Sequence, residues 1–253
     1  MPHCGVWRAG REGYIRSDGL GDPGRRAART PHMEKALIIG ESGAIGRAVA
    51  TELRGRGWSV EGLSRSGDGF DITDAASVER HLGQARRDFD LVLIATGALE
   101  IDGDAPEKSL RDLTVEAMAG QYLLNAIGPA LVMRHTAHLL ARDRRAVVAT
   151  LSARIGSIGD NRLGGWVSYR AAKAGLNQII RSAAIELGRS HAQAICVALH
   201  PGTVESALTR RYLGRHPAVT PQAAAHHMLA VLDGLSVAHS GGFFDWRGDP
   251  VAW

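Results

Sequence analysis

The feature that most constrains this chain is the alternation, from residue 36 onward, of short apolar runs with longer segments of helical period. Runs at 36–40, 58–63, 91–95, 146–151, 194–199 and 242–246 are β-branched or leucine-rich. Between them, at 45–54, 75–87, 113–142, 169–188 and 221–232, apolar residues recur at helical spacing. A strand that is apolar along its whole length is buried on both faces, and a helix between successive strands supplies the crossover that parallel pairing needs. The pattern predicts a single α/β domain, a Rossmann-type doubly wound parallel sheet spanning residues 33–253.

Composition removes several classes of function. No apolar run reaches the roughly 20 residues that span a bilayer. Cys4 and Cys196 are too few and too far apart for a disulfide framework, which fits a reducing cytoplasm. The net charge of +4 is concentrated in the first 32 residues, where Arg8, Arg11, Arg16, Arg25, Arg26 and Arg29 face Glu12, Asp18 and Asp22. The body is near neutral and has no basic stripe interleaved with aromatics, so nucleic acid is not an expected partner. The first 32 residues lack hydrophobic periodicity and are expected to be a disordered extension, with Met33 as a natural start or, alternatively, an Arg-rich transit peptide ahead of it.

GESGAIG, residues 40–46, stands after the first strand run and before the helical segment that follows. Gly40 permits a tight turn, Gly43 removes a side chain where a pyrophosphate approaches, and Gly46 allows close helix packing, while helix N–H groups face the anion. With Ser42 and Ile45, these residues form the expected dinucleotide-phosphate site. The second strand run ends in Ser64 and Arg65, where a guanidinium can bind the 2′-phosphate of NADP; Glu61, the acid that NAD would ask for, lies mid-strand. NADP(H) is therefore the expected cofactor.

GWVSYRAAK, residues 165–173, places Tyr169 and Lys173 one helical turn apart. The chain has 27 Arg but only three Lys. With lysine so scarce, about 0.05 Tyr-x-x-x-Lys pairs are expected by chance, and the i,i+4 spacing puts both side chains on one face. A phenol with its ordinary pKa near 10 is a poor acid-base catalyst at neutral pH unless a nearby cation stabilises its anion, and Lys173 is that cation. The shift required, about three units or roughly 4 kcal/mol, exceeds what an exposed pair supplies, so a bound nicotinamide and partial desolvation are expected to contribute.

The ordered series GESGAIG, FDITD, IATGAL, LLNAIGPALVMRH, LSARIGSIGDNRLGGWVSYRAAKAGLN, LHPGTVES and SGGFFDWRGDPVAW resembles the short-chain dehydrogenase/reductase family, in its C-factor-like carbonyl reductase branch, over residues 33–253. The resemblance implies that Tyr169 protonates a carbonyl oxygen, that Lys173 binds the nicotinamide ribose and lowers the Tyr169 pKa, and that Asn125 holds a water linking Lys173 to solvent. It also implies that Asp71 and Ile72 lie beside adenine, that Ala95, Thr96 and Gly97 form the turn after the next strand, and that Pro201, Gly202, Thr203 and Val204 meet the carboxamide. The family often forms dimers or tetramers through its long helices.

The sequence departs from the family at the serine. Where Ser-Ser is usual, the chain has Ser152-Ala153, so either Ser152 or Ser157 orients the carbonyl; Ser152 is favoured because it ends a strand. ATG replaces the more usual Asn-Ala-Gly, which weakens a structural hydrogen bond. The expected function is reversible, NADPH-dependent reduction of a carbonyl to an alcohol; the alternative is a catalytically weak dinucleotide-binding regulator. A sugar-nucleotide epimerase would need more chain after residue 200. Arg210, Arg211, Tyr212 and Arg215 hint at an anionic or polar substrate, and Arg162 and Trp166 are expected at its mouth. Neighbouring His226 and His227 diverge on a helix, and His135 with His138 reads as helix surface, so no metal site is expected. Cys196 reads as an inert core thiol.

Overall fold

The computed structural model describes residues 34–83, 88–101, 103–206, 209 and 218–253. The expectations for residues 1–33, the end of the 75–87 helix, and Arg210, Arg211, Tyr212 and Arg215 lie outside these. Six strands form one sheet: β1 (Lys35–Ile39), β2 (Ser59–Leu63), β3 (Leu91–Ile94), β4 (Ala146–Leu151), β5 (Ala194–His200) and β6 (Phe243–Asp245). Their order is β2-β1-β3-β4-β5-β6, and every pairing is parallel. From β1 the chain adds β2 on one side and β3 on the other, so the carboxyl ends of β1 and β3 flank a crevice where ligands of open α/β sheets bind.

Alternate residues of each strand point to opposite faces, and both faces are covered. Leu37, Ile39, Val92, Ile94, Val148 and Cys196 pack against α3 (Ala75–Leu82), α5 (Gly128–Met133) and α7 (Val167–Gly188). Ala36, Ile38, Leu93, Val147, Ile195 and Val197 pack against α1 (Ala44–Gly55) and α8 (Pro221–Gly234). Burying each Leu, Ile or Val side chain stabilises the fold by about 1.5–3 kcal/mol, which makes this two-faced pattern the dominant determinant of the sheet. A four-residue α2 (Arg65–Asp68) follows β2.

The segment 113–142 is not one helix. It is divided into α4 (Val115–Tyr122), a π-helical turn (Leu123–Ile127), α5 and a short α6 (Thr136–Leu139). Pro129 has no N–H to give the Asn125 carbonyl four residues back, and its ring crowds that oxygen. The N–H of Gly128 bonds the Leu123 carbonyl five residues back instead, so the coil widens by one residue. At the end of α5, the hydroxyl of Thr136 donates to the Met133 carbonyl at 2.7 Å. Among the described residues no helix is long and apolar enough to cross a membrane.

Candidate active site

The glycines after β1 occupy positions where a side chain would collide. A Cβ on Gly46 would sit 2.3 Å from the Gly40 carbonyl oxygen, so α1 meets the strand end backbone to backbone. Gly40, at φ +89°, lies against Ala95 and Thr96, where a Cβ would come within 3.1 Å. Gly43 starts α1 without a side-chain cap, and the first turn carries no acid. Its N–H groups are thus left to an outside acceptor.

Beyond β2, Arg65 is exposed. Ser64 is buried and already engaged: its hydroxyl accepts the Gly67 N–H at 3.1 Å, capping α2. The Asp71 carboxylate accepts the Thr73 N–H at 2.9 Å and its hydroxyl at 2.6 Å. These bonds hold Asp71 below the usual carboxylate range, burial opposes them, and the Arg65 charge adds to the lowering. Ile72 packs on Gly128, which ties this turn to the π-helical segment.

Asn125 is fully buried on that segment. Its Nδ2 donates to the Ala98 carbonyl at 2.9 Å and to Gln121 Oε1 at 2.7 Å, and its Oδ1 accepts the Ala98 N–H at 3.2 Å. Gln121 in turn donates to the Leu99 carbonyl at 2.8 Å. The loop after β3 is thereby clamped with Gly97 at its tip, at φ +150°. A Cβ on Gly97 would lie 2.9 Å from Asn125 Oδ1 and 3.4 Å from Lys173 Nζ, so glycine keeps open the space these groups share.

Tyr169, Lys173 and Asn177 follow one another at i, i+4 and i+8 along α7 and meet the end of β4. Lys173 Nζ donates to the Leu151 carbonyl at 3.0 Å and lies 5.8 Å from the centre of the Tyr169 ring. Ser152 Oγ donates to Asn177 Oδ1 at 2.6 Å. Burial pushes the Lys173 ammonium down to about 8 and pushes the Tyr169 phenol up. This corrects the sequence expectation that desolvation helps to lower the phenol; taking an anion out of water opposes its formation.

Tyr169 and Ser152 open onto a cleft of about 660 Å³ at the carboxyl ends of the strands. Pro201, Gly202, Thr203 and Val204 form one wall and Trp166 part of another. Ser157 faces a separate groove, where its hydroxyl accepts the Asp160 N–H at 3.1 Å. Of the two serines, only Ser152 lines the cleft with Tyr169. Arg162 is exposed and absent from the cleft lining, contrary to expectation. His135 is buried 3.7 Å from Glu79 rather than on a helix surface, because the break after Met133 turns it inward. His226 approaches Glu52 while His227 stacks on Trp246, and burial raises the Cys196 thiol to about 12.

The sequence reading missed Gln121, Asn177, Lys108, Arg170 and His200. Gln121 and Asn177 each stand one turn from a residue already singled out, on the same helix face, which is the signal that could have found them. Lys108 comes to the cleft with a loop whose path no local pattern sets, and Arg170 stands beside Tyr169 in the first turn of α7. His200 ends β5 in the cleft; burial drives it down to about 4, against the pull of Asp245, and its Nδ1 has no partner.

The family model for enoyl-(acyl carrier protein) reductases matches residues 68–239. Among curated proteins, 1-hydroxy-2-glutathionyl-2-methyl-3-butene dehydrogenase of a Rhodococcus species is 28% identical over 236 residues, covering 87% of this chain and all of the relative. The C-signal protein of Myxococcus xanthus is 36% identical over 149 residues, covering 57% of this chain and 84% of its own. A solved structure from Burkholderia multivorans, described as a short-chain dehydrogenase/reductase with bound NADP, superposes with a TM-score of 0.73 at 25% identity, covering 88% of this chain and all of that one. On the strength of the matched model and this parallel sheet, the chain belongs to the short-chain dehydrogenase/reductase family of oxidoreductases.

Proposed function

We propose that residues 33–253 form an NADPH-dependent reductase that converts a carbonyl to an alcohol, reversibly. The observation that carries the reading is that Asn125 and Lys173 meet at Gly97 while Tyr169, beside Lys173, lines a cleft built on the strand ends. The residues present fit a dinucleotide. Gly40, Gly43 and Gly46 leave the close-packed turn before α1 bare of side chains, and the buried Thr96 Oγ1 has no protein partner. Bound NADP in the Burkholderia structure supports the choice of cofactor, and exposed Arg65 is the residue we assign to its 2′-phosphate.

NADPH, when bound, supplies the hydride. Tyr169 delivers the proton to the carbonyl oxygen as general acid. For that direction a phenol raised by burial is suitable, since it holds its proton until the oxygen becomes basic. Lys173, with a pKa of about 8, is still cationic at neutral pH and stabilises the phenolate left behind. Ser152 binds the carbonyl oxygen from the β4 end, and Asn125 holds the Gly97 loop against Lys173.

The cleft sets the substrate class. Leu99, Ile155, Leu163 and Trp166 give it apolar walls, while Lys108, Arg154 and Arg170 bring positive charge and, among the described residues, no carboxylate lines it. Arg154 is neutralised by Asp160 at 2.5 Å, and Arg170 is bonded to the carbonyls of Ile155, Gly164 and Gly165. Among the described residues of the cleft, Lys108 is left to favour an apolar carbonyl compound bearing an anionic group. Exposed Val115, Leu123 and Ile127 on the α4 side support pairing of copies through that face.

The test is Tyr169→Phe, assayed by loss of NADPH absorbance over a panel of neutral and anionic carbonyl compounds. Turnover is expected to disappear while NADPH binding persists; retained turnover rejects the assignment.

A further inference from the structure

Ser152 presents a conflict that the family reading leaves open. To polarise a substrate carbonyl, a serine must direct its O–H at the carbonyl oxygen. Here that hydrogen is directed away from the cleft, to Asn177 Oδ1 at 2.6 Å. At the same time the Nδ2 of Asn177, which is 2% exposed, is buried with no acceptor. One half-turn of the carboxamide changes both conditions. The amide keeps its shape and volume, Nδ2 moves to the position of Oδ1, and an N–H then donates to Ser152 Oγ. The hydroxyl hydrogen is released towards the cleft. The turned amide leaves a carbonyl oxygen without a donor, which buried structure tolerates better than an N–H without an acceptor.

We propose that Asn177 is a positioning residue for Ser152: by presenting Nδ2 rather than Oδ1 to the serine oxygen, it fixes the hydroxyl as a donor to the substrate carbonyl. This rests on the reading of Ser152 given under Proposed function. Asn177 lies two turns beyond Tyr169 on the same face of α7, so one helix sets both polar groups that act on the carbonyl: Tyr169 itself, and Ser152 through Asn177. The arrangement also accounts for a serine that works without the usual second serine beside it. Ser152 is held on one side by its own N–H to the Leu199 carbonyl at 2.8 Å and on the other by the amide.

The experiment compares Ser152→Ala, Asn177→Asp, Asn177→Leu and the double variant Ser152→Ala/Asn177→Leu in the full chain, measuring kcat, KM, NADPH binding by fluorescence and the unfolding midpoint. Losing one such donor lowers turnover by about 10²-fold, the expected effect of Ser152→Ala. Asn177→Asp, nearly the same shape but an acceptor only when ionised, should approach that loss in kcat with KM for NADPH unchanged. Asn177→Leu should lose at least 10-fold, and the double variant should be no slower than Ser152→Ala alone. Should the leucine variant fail to fold, the near-isosteric aspartate variant carries the test. Wild-type kcat in Asn177→Asp, or losses that multiply in the double variant, overturns the positioning role. Wild-type turnover in Ser152→Ala overturns the Ser152 reading and the positioning role together, a result distinct from either of the other two.

Discussion

Asn125 and Ala98 exchange hydrogen bonds in both directions, side-chain amide to backbone, as two paired strands would. Asn125→Ala leaves the Ala98 N–H and C=O and the Gln121 amide oxygen buried and unpaired. The expected cost is about 2–4 kcal/mol, read from urea unfolding midpoints, together with a more than 10-fold loss of turnover as the Gly97 loop loosens. A variant with unchanged stability would show that the loop is held by something else.

Among the described residues Lys173 is buried without a carboxylate partner, so its charge opposes folding while it serves the site. The unfolded chain keeps its proton up to the ordinary pKa of 10.5, whereas the folded protein releases it near 8. Between those values the unfolded state binds more protons, and stability rises with pH. Lys173→Met is expected to abolish turnover, to match or exceed wild-type stability at pH 7.5, and to lose the rise between pH 8 and 10. Above pH 10 the raised Tyr169 phenol works in the opposite sense, because the folded state then holds the extra proton.

His200 gives the acid limb. Its folded pKa of about 4 lies below the ordinary 6.5, so on acidification the unfolded chain takes up the proton first. Stability is therefore expected to fall as pH drops from 6.5 to 4, by on the order of 3 kcal/mol in total, and then to stop falling on this account. His200→Gln should flatten that part of the profile, as followed by thermal unfolding at half-unit pH steps.

Arg65 stands exposed where β2 ends, with Asp71 close enough for its charge to be felt. Arg65→Ala is expected to raise KM for NADPH by roughly 10- to 100-fold, the value of a charge-assisted phosphate contact, and to leave KM for NADH nearly unchanged. Equal effects on both cofactors would reject the 2′-phosphate assignment.

The six strands were legible because each is a local run of apolar residues, and burial on both faces permits few other arrangements. The glycines at 40, 43 and 46 were legible for a related reason: a strand-turn-helix junction is short. What escaped depends on residues far apart in the chain. The widened turn at Leu123–Ile127 arises where Pro129 silences one rung of a helix whose apolar period runs on undisturbed. The upward shift of the Tyr169 phenol follows from burial, which spacing along a helix does not encode. Ser152 was favoured from its place at the end of a strand, but that Ser157 faces a separate groove was not legible, because the loop between β4 and α7 decides it.

The widened turn at Leu123–Ile127 makes the site depend on counting. An α-helix rotates by about 100° per residue, so closing the wide turn without removing a residue would swing everything on one side of it by more than a quarter revolution relative to the other. Asn125 would leave Ala98, or Gly128 would leave Ile72, although every side chain needed for chemistry would still be encoded. Any redesign that regularises this helix at constant length would thus erase the site while improving the helix.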